Sequence, residues 1–387
     1  MKYIDEFRQQ HLAENLADSI RNAAHPDRDY RFMEFCGGHT HAIFRYGIQD
    51  LMPDNVHFIH GPGCPVCVLP TSRLDMAIIL ACTEDIILCT YGDMLRVPAS
   101  DRKSLLQARA DGADVRMVYS TRDALNIARE NPQQQVVFFA IGFETTTPPT
   151  AVAVLQAEAE KLKNFSVFCN HVLTPAAITA ILDARSDTSE QPIQLDGFLG
   201  PSHVSSVIGS QPYEFVPQQH GKPVVIAGFE PLDVMQSTLM LIHQINQGRC
   251  EVENEYTRVV TPQGNLKAQQ LVSQVMETRD SFEWRGLGSI PVSALKLKKS
   301  YQTFDAENRF PGIHKTSGKA ADHRACECPA ILRGAKRPTD CRLFATVCTP
   351  ENPMGSCMVS SEGACAAYYS YGRFRNLTSA AEQEHVA

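Results

Sequence analysis

Three features of this 387-residue sequence predict an α/β fold: two parallel-sheet α/β domains followed by a third, loop-rich C-terminal domain. From Tyr30 onward, short β-branched or aromatic runs alternate with segments of helical spacing, the pattern of parallel sheets flanked by helices. After about residue 250 the chain turns polar and irregular. Six of the thirteen cysteines then crowd between Cys326 and Cys365. A chain of this length exceeds one ordinary core, so each domain buries its own interior.

Strands are expected at Tyr30 to Phe35, Val56 to His60, Asp85 to Tyr91, Val115 to Tyr119, Val136 to Ile141, Phe165 to Asn170, Leu195 to Leu199 and Val224 to Ala227. Between them lie expected helices, among them Ala42 to Met52, Arg73 to Cys82, Ala151 to Lys163, Ala176 to Ala184 and Asp233 to Gln247. Residues 1–29 space Ile4, Phe7, Leu16 and Ile20 as an amphipathic helix does, expected to pack on the C-terminal domain. The expected domains are 30–121, 122–250 and 251–387. In the last, Glu251 to Val260 is a polar strand, Gly264 to Glu277 a helix and Phe282 to Ile290 a glycine-interrupted strand, while Lys296 to Asp322 is expected to be surface loop.

Apolar residues at 43%, charged residues at 20% and a net charge of −7 describe a soluble globular protein. No basic run carries interleaved aromatics, so nucleic acid is not an expected partner. The N-terminus is charged throughout, unlike a signal peptide, and the apolar stretch Met76 to Leu88 is broken by Thr83, Glu84 and Asp85, so no membrane span is expected. Thirteen cysteines without an export signal predict reduced, cytoplasmic thiols for metal or redox work.

In such sheets ligands gather beyond the carboxyl ends of strands, and each polar motif falls there. The first is Glu34-Phe35-Cys36-Gly37-Gly38-His39-Thr40-His41, where Cys36 to His41 reads as the turn between a strand and a helix. A thiolate beside the imidazoles of His39 and His41 suits a soft transition metal, the glycines admit close approach, and amides at a helix N-terminus favour the thiolate. The bland alternative is a buried thiol with histidines capping nearby carbonyls. The second motif, His60-Gly61-Pro62-Gly63-Cys64-Pro65-Val66-Cys67, holds two sulfurs close enough for an easily reduced disulfide or a shared metal, against a structural half-site or idle thiols. Gly142-Phe143-Glu144-Thr145-Thr146 and Gly228-Phe229-Glu230 repeat a strand running into Gly-Phe-Glu. Glu230 reads as a helix cap and Glu144 as a polar site wall. Gly200-Pro201-Ser202-His203 offers one more imidazole.

The C-terminal tract, Cys326, Cys328, Cys341, Cys348, Cys357 and Cys365 interleaved with prolines, is too poor in large apolar residues to hold itself together. A [4Fe–4S] cluster wrapped by loops fits its irregular spacing better than a zinc ribbon does.

With these residues the chain resembles the HypD family of maturation factors, which help build the Fe(CN)2CO part of [NiFe]-hydrogenases. The likeness runs through FCGGHTHAIF at 35–44, FIHGPGCPVCVLP at 58–70, GFETT at 142–146, AGFEPLD at 227–233, EWRGLG at 283–288 and MVSSEGACAAYY at 358–369. The resemblance implies that Cys36, with His39 and His41 close by, binds a transient iron carrying cyanide and carbon monoxide. It implies that Cys64 and Cys67 form a thiol-disulfide relay. Cys328, Cys341, Cys348 and Cys365 fit the family's cluster spacing of twelve, six and sixteen intervening residues, leaving Cys326 and Cys357 as extras. Implied partners are a HypC-type chaperone, which adds its own cysteine to the iron, and a HypE-type cyanide donor. Two other readings stay open: a stand-alone iron–sulfur thiol-disulfide oxidoreductase, and a zinc-stabilised scaffold without redox work.

Overall fold

A computed structural model describes residues 5–183, 193–314 and 322–372. Its architecture is α/β, built on two all-parallel sheets. The first has the order β2-β1-β7-β8-β9, from Tyr30–Glu34 (β1), Val56–His60 (β2), Gly197–Gly200 (β7), Val224–Ile226 (β8) and Val252–Asn254 (β9). The second has the order β4-β3-β5-β6, from Ile86–Thr90 (β3), Val115–Met117 (β4), Gln135–Gly142 (β5) and Phe165–His171 (β6). Every strand expected before residue 250 is present, within a few residues of its expected ends.

The strands divide between the sheets differently from the expected 30–121 and 122–250 domains. The chain starts the first sheet with β1 and β2, builds the whole second sheet, then returns to complete the first with β7, β8 and β9. Burial explains the return. Phe32 and Met33 of β1 point to opposite faces and both are fully enclosed, as in a central strand covered on both faces. The backbone edge of β1 that β2 leaves open would bury unpaired N–H and C=O groups there if β7 did not pair with it. β1 is therefore the strand at which the chain order reverses, the position where open α/β sheets place their crevice. The outer edge of β2 is closed by one side chain: Gln49 Nε2 donates to the Val56 carbonyl at 3.0 Å and its Oε1 accepts from Phe58 N at 3.1 Å.

The N-terminal helix, Gln10–Ala23 (α1), packs on the helix Pro231–Asn246 rather than on the C-terminal region. Its apolar stripe delivers Ala17 and Ile20 into the core made by Val234, Met235 and Leu239. Tyr30 Oη donates to Asn246 Oδ1 at 2.6 Å, and Asn246 Nδ2 donates to the Ala23 carbonyl at 2.7 Å. Ile4 lies outside the described residues.

Lys296 to Asp322 is more than surface loop. Its described part holds a strand, Leu295–Leu297, and turns that bury Tyr301, Phe304 and Ile313. The expected polar strand after residue 250 is β9, and Phe282 to Ile290 is a hairpin of Ser281–Trp284 and Gly288–Pro291. Trp284 is enclosed there, donating Nε1–H to Ser293 Oγ at 2.9 Å. Among the described residues no helix is long and apolar enough to cross a membrane.

Candidate functional site

Cys36 follows the carboxyl end of β1 and caps the helix Gly37–Tyr46 (α2), so His39, Thr40 and His41 occupy its first turns rather than a loop. The helix starts with two glycines because there is no room for side chains. A Cβ on Gly37 would come within 2.3 Å of Glu362 Cβ, and one on Gly38 within 2.3 Å of the Phe229 ring. Gly63 makes a third close approach, where a Cβ would lie 2.5 Å from Cys36 N. Gly37 N also donates to the Gly63 carbonyl at 3.1 Å, joining the thiol turn to the loop that carries Cys64 and Cys67.

Cys36 is 8% exposed. Burial pushes its thiol well above the usual range, Glu362 and Glu34 reinforce the shift, and hydrogen bonds from the Gly38 and His203 amides oppose it without prevailing. The expectation that helix amides alone favour the thiolate therefore fails in the free protein, because desolvation and two carboxylates outweigh them. Glu34 is fully enclosed and accepts from Cys36 N at 3.0 Å, His60 Nδ1 at 2.9 Å and Thr40 Oγ1. It ties together the ends of β1 and β2. Burial pushes the Glu34 carboxyl up, partly offset by His60. Glu362 is likewise raised, by burial, Asp93 and Glu34. Asp93 follows β3, so the carboxyl ends of both sheets face this carboxylate.

The two histidines part company. His39 Nε2 lies 3.1 Å from both the Ala227 and Gly228 carbonyls, and since carbonyls only accept, that nitrogen carries the proton. Its Nδ1 is then a buried lone pair with no hydrogen-bond partner among the described residues. Burial lowers this imidazole to about 4. The His39 ring packs 5.1 Å from Phe229, and His203 covers Phe229 at 4.2 Å. His41 is instead engaged by Tyr371 Oη at 3.2 Å.

Cys64 and Cys67 form a disulfide, with Cα atoms 5.2 Å apart, at the start of the short helix Pro65–Val68. Ser356 Oγ donates to the Cys67 carbonyl at 2.9 Å, and Cys67 Sγ lies 4.0 Å from the Ser356 carbonyl oxygen. The disulfide thus touches Cys36 through Gly63 on one side and the C-terminal thiols through Ser356 on the other.

Cys328, Cys341, Cys348 and Cys365 are all buried. Cys328 and Cys365 share hydrogen bonds with Cys357, Cys326 bonds to Cys328, and Cys348 Sγ accepts from Met354 N at 3.4 Å. The two extra thiols therefore lie within the same group. Among the described residues no three His, Cys, Asp or Glu side chains are arranged to hold a single metal ion. The donor set nevertheless suits an iron–sulfur cluster: four buried soft thiols, Cys328 and Cys365 at the starts of the short helices Cys328–Leu332 and Ala364–Tyr371 and Cys341 and Cys348 on loops. The buried Arg285, its Nη1 unpartnered among the described residues, stands one residue before the Gly286 that packs on Pro329.

Glu144 follows β5 and accepts from Thr174 N at 2.9 Å and Thr174 Oγ1 at 3.0 Å. Burial pushes it up to about 7, against those donors. The enclosed Tyr213 feels both Glu144 and, more weakly, Cys36. Glu230 caps the helix Pro231–Asn246 and pairs with Arg8 at 2.9 Å. Sequence reasoning missed Glu362 and Ser356. Glu362 stands inside the MVSSEGACAAYY stretch, but nothing in its spacing shows that it covers Gly37.

Fold and site define a class: a two-sheet α/β protein with an enclosed thiol at the strand-order reversal of one sheet, linked through a disulfide loop to a C-terminal group of thiols. A family model, "HypD: Hydrogenase formation hypA family", matches residues 11–372. The chain is 64% identical over 378 residues to a hydrogenase maturation factor HypD of Azotobacter vinelandii, covering 97% of this chain and 98% of that protein. It is 61% identical to the HypD of Cupriavidus necator, covering 97% and 99%, and 46% identical to that of Escherichia coli, covering 96% and 98%. The chain belongs to the HypD family of hydrogenase maturation factors.

Proposed function

We propose that this maturation factor is a cytoplasmic scaffold and redox protein for assembly of the Fe(CN)2CO moiety of [NiFe]-hydrogenase, holding the iron through Cys36. The observation that carries the reading is the packing of Gly63 on Cys36, which sets the Cys64–Cys67 disulfide loop against the one thiol that two amides and two carboxylates surround. Glu34 and Glu362 supply negative charge that attracts a cation. A bound iron(II) then offsets the burial and carboxylate terms that keep the free sulfur protonated, and Cys36 gives up its proton as the metal, here the substrate, arrives. The bare His39 Nδ1, three residues along the chain, is a buried acceptor with no hydrogen-bond partner among the described residues.

Cys328, Cys341, Cys348 and Cys365 would hold a [4Fe–4S] cluster, which when bound supplies single electrons. Reduction of the Cys64–Cys67 disulfide takes two electrons and two protons and yields two thiols. The reverse returns both electrons for a redox step at the iron. Ser356, hydrogen-bonded to Cys67, sits next to Cys357 in the thiol group, which supports exchange between the two. In this reading a HypC-type chaperone contributes a second cysteine to the iron and a HypE-type partner delivers cyanide.

The competing reading, a stand-alone thiol-disulfide oxidoreductase, needs Cys64 and Cys67 but not Cys36. Infrared spectroscopy of protein purified without air together with its chaperone separates them. Cyanide and carbonyl stretching bands are expected in the wild type and absent from Cys36→Ala. Bands that persist in the variant would overturn the anchor, and a Cys36→Ser chain that still reduces a dithiol substrate would favour the oxidoreductase.

A further inference from the structure

Arg285 has no part in the roles assigned so far, yet it stands where the disulfide loop meets the C-terminal thiols. Its backbone N–H donates at 2.7 Å to the carbonyl of Val68, the residue after Cys67. The next residue, Gly286, has φ +83 and lies against Pro329, the residue after Cys328, where a Cβ would come within 2.9 Å of Pro329 Cα. The side chain is 2% exposed. Nη2 donates to Thr71 Oγ1 at 2.8 Å and Nε lies 3.3 Å from Asp322 Oδ1. Nη1 has no hydrogen-bond partner among the described residues. Asp322 is 32% exposed, so water screens much of its charge while the guanidinium stays enclosed. A buried cation with an unused donor is costly unless negative charge faces it. The thiol group is the candidate, because Gly286 packs against Pro329 beside Cys328 while the Arg285 backbone is bonded to Val68 beside Cys67.

We propose that Arg285 is the built-in counter-charge of the C-terminal iron–sulfur site, raising the potential at which that site accepts an electron. The inference rests on the cluster reading above. A [4Fe–4S] core on four thiolates carries a net charge of about −2 oxidised and about −3 after one electron from an external one-electron donor. A fixed positive charge in a low-dielectric wall therefore stabilises the reduced form more than the oxidised form. Removing it lowers the potential. Removing Asp322, the charge that partly cancels it, raises the potential.

The test is a potentiometric titration with dithionite of the full chain, purified without air, followed by visible absorption and with iron and sulfide counted. Arg285→Met is expected to hold its iron but to show a reduced-to-oxidised ratio about tenfold lower at a fixed potential, equivalent to about 59 mV for one electron. Arg285→Lys keeps the charge and should stay near the wild type. Asp322→Asn, a substitution at a more exposed residue, should shift the opposite way, which keeps the proposal open to refutation if Arg285→Met fails to fold. Potentials of Arg285→Met and Asp322→Asn that both match the wild type overturn the role of Arg285 alone. A wild-type chain with no iron–sulfur absorption overturns the cluster reading and this proposal with it.

Discussion

Gly63 shows how much of this site rests on single atoms. Its backbone needs no glycine, yet a methyl group there would meet Cys36 N at 2.5 Å and the Phe35 carbonyl carbon at 2.7 Å, both backbone and unable to swing aside. Gly63→Ala should cost about 1–3 kcal/mol, read as a lower urea midpoint at unchanged slope, and should part the disulfide loop from Cys36. A midpoint equal to that of the wild type would show that the loop yields freely. Glu144 makes a second prediction, on pH. Its folded value of about 7 stands above the ordinary 4.5, so the folded chain binds the extra proton between those values. The stabilisation is complete below about pH 4.5 and is lost as pH rises through about 7, a change of about 3 kcal/mol. Glu144→Gln keeps an acceptor for Thr174 N and should flatten that part of the stability profile, measured by denaturant unfolding at pH 5 and pH 7.5. Parallel profiles for variant and wild type would remove Glu144 as the source. At this scale the sequence placed Cys36, Cys64 and Cys67 just beyond strand ends, where the structure has them, because the apolar runs before them mark β1 and β2. It did not disclose Glu362, which reaches Gly37 only through tertiary packing, nor the opposite orientations of His39 and His41, which follow from the helix beginning at Gly37.

Among the elements, the helix Thr71–Ala81 is tied to β6 and to the helix Ala306–Arg309 by one side chain. Arg73 donates Nη1 to Glu307 Oε1 at 2.7 Å and Nη2 to the Cys169 carbonyl at 3.2 Å, binds Asn170 through Nε, and stacks 4.3 Å over the Phe168 ring. Burial would raise the Glu307 carboxyl, but Arg73 and then Arg279 pull it down to about 2. Arg73→Met leaves Asn170 and the Cys169 carbonyl without that donor and Glu307 with half its counter-charge. A loss of about 3–5 kcal/mol is expected by denaturant unfolding, and a loss under about 1 kcal/mol would mean that Arg279 alone suffices. The strands before residue 250 were legible because buried parallel strands are short, continuous apolar runs. Lys296 to Asp322 was not, because Tyr301, Phe304 and Ile313 sit on short turns with too few residues to show a period, and their burial comes from β6 and the helix Thr71–Ala81, far away in sequence.

For the whole molecule, periodicity gives the strands but not their neighbours, and the chain's excursion through the second sheet before returning to β7 left no mark in composition. That path couples the two halves of the sequence. A cut after residue 121 leaves 1–121 with β1, β2, β3 and β4 and 122–387 with β5 to β9, so each fragment holds part of both sheets and completes neither. In 1–121, β1 lacks β7, and β3 lacks β5, with which it pairs from Ile86 to Cys89, exposing faces that are fully buried in the intact chain. Neither fragment should unfold cooperatively alone when followed by far-ultraviolet circular dichroism, whereas the two mixed should regain a single transition as the interrupted sheets pair across the cut. The same cut between two independent domains would leave two fragments that each melt cooperatively. A cooperative transition in either fragment alone would therefore restore the contiguous division and dissolve the link between sheet order and the placing of Cys36 at the strand where that order reverses.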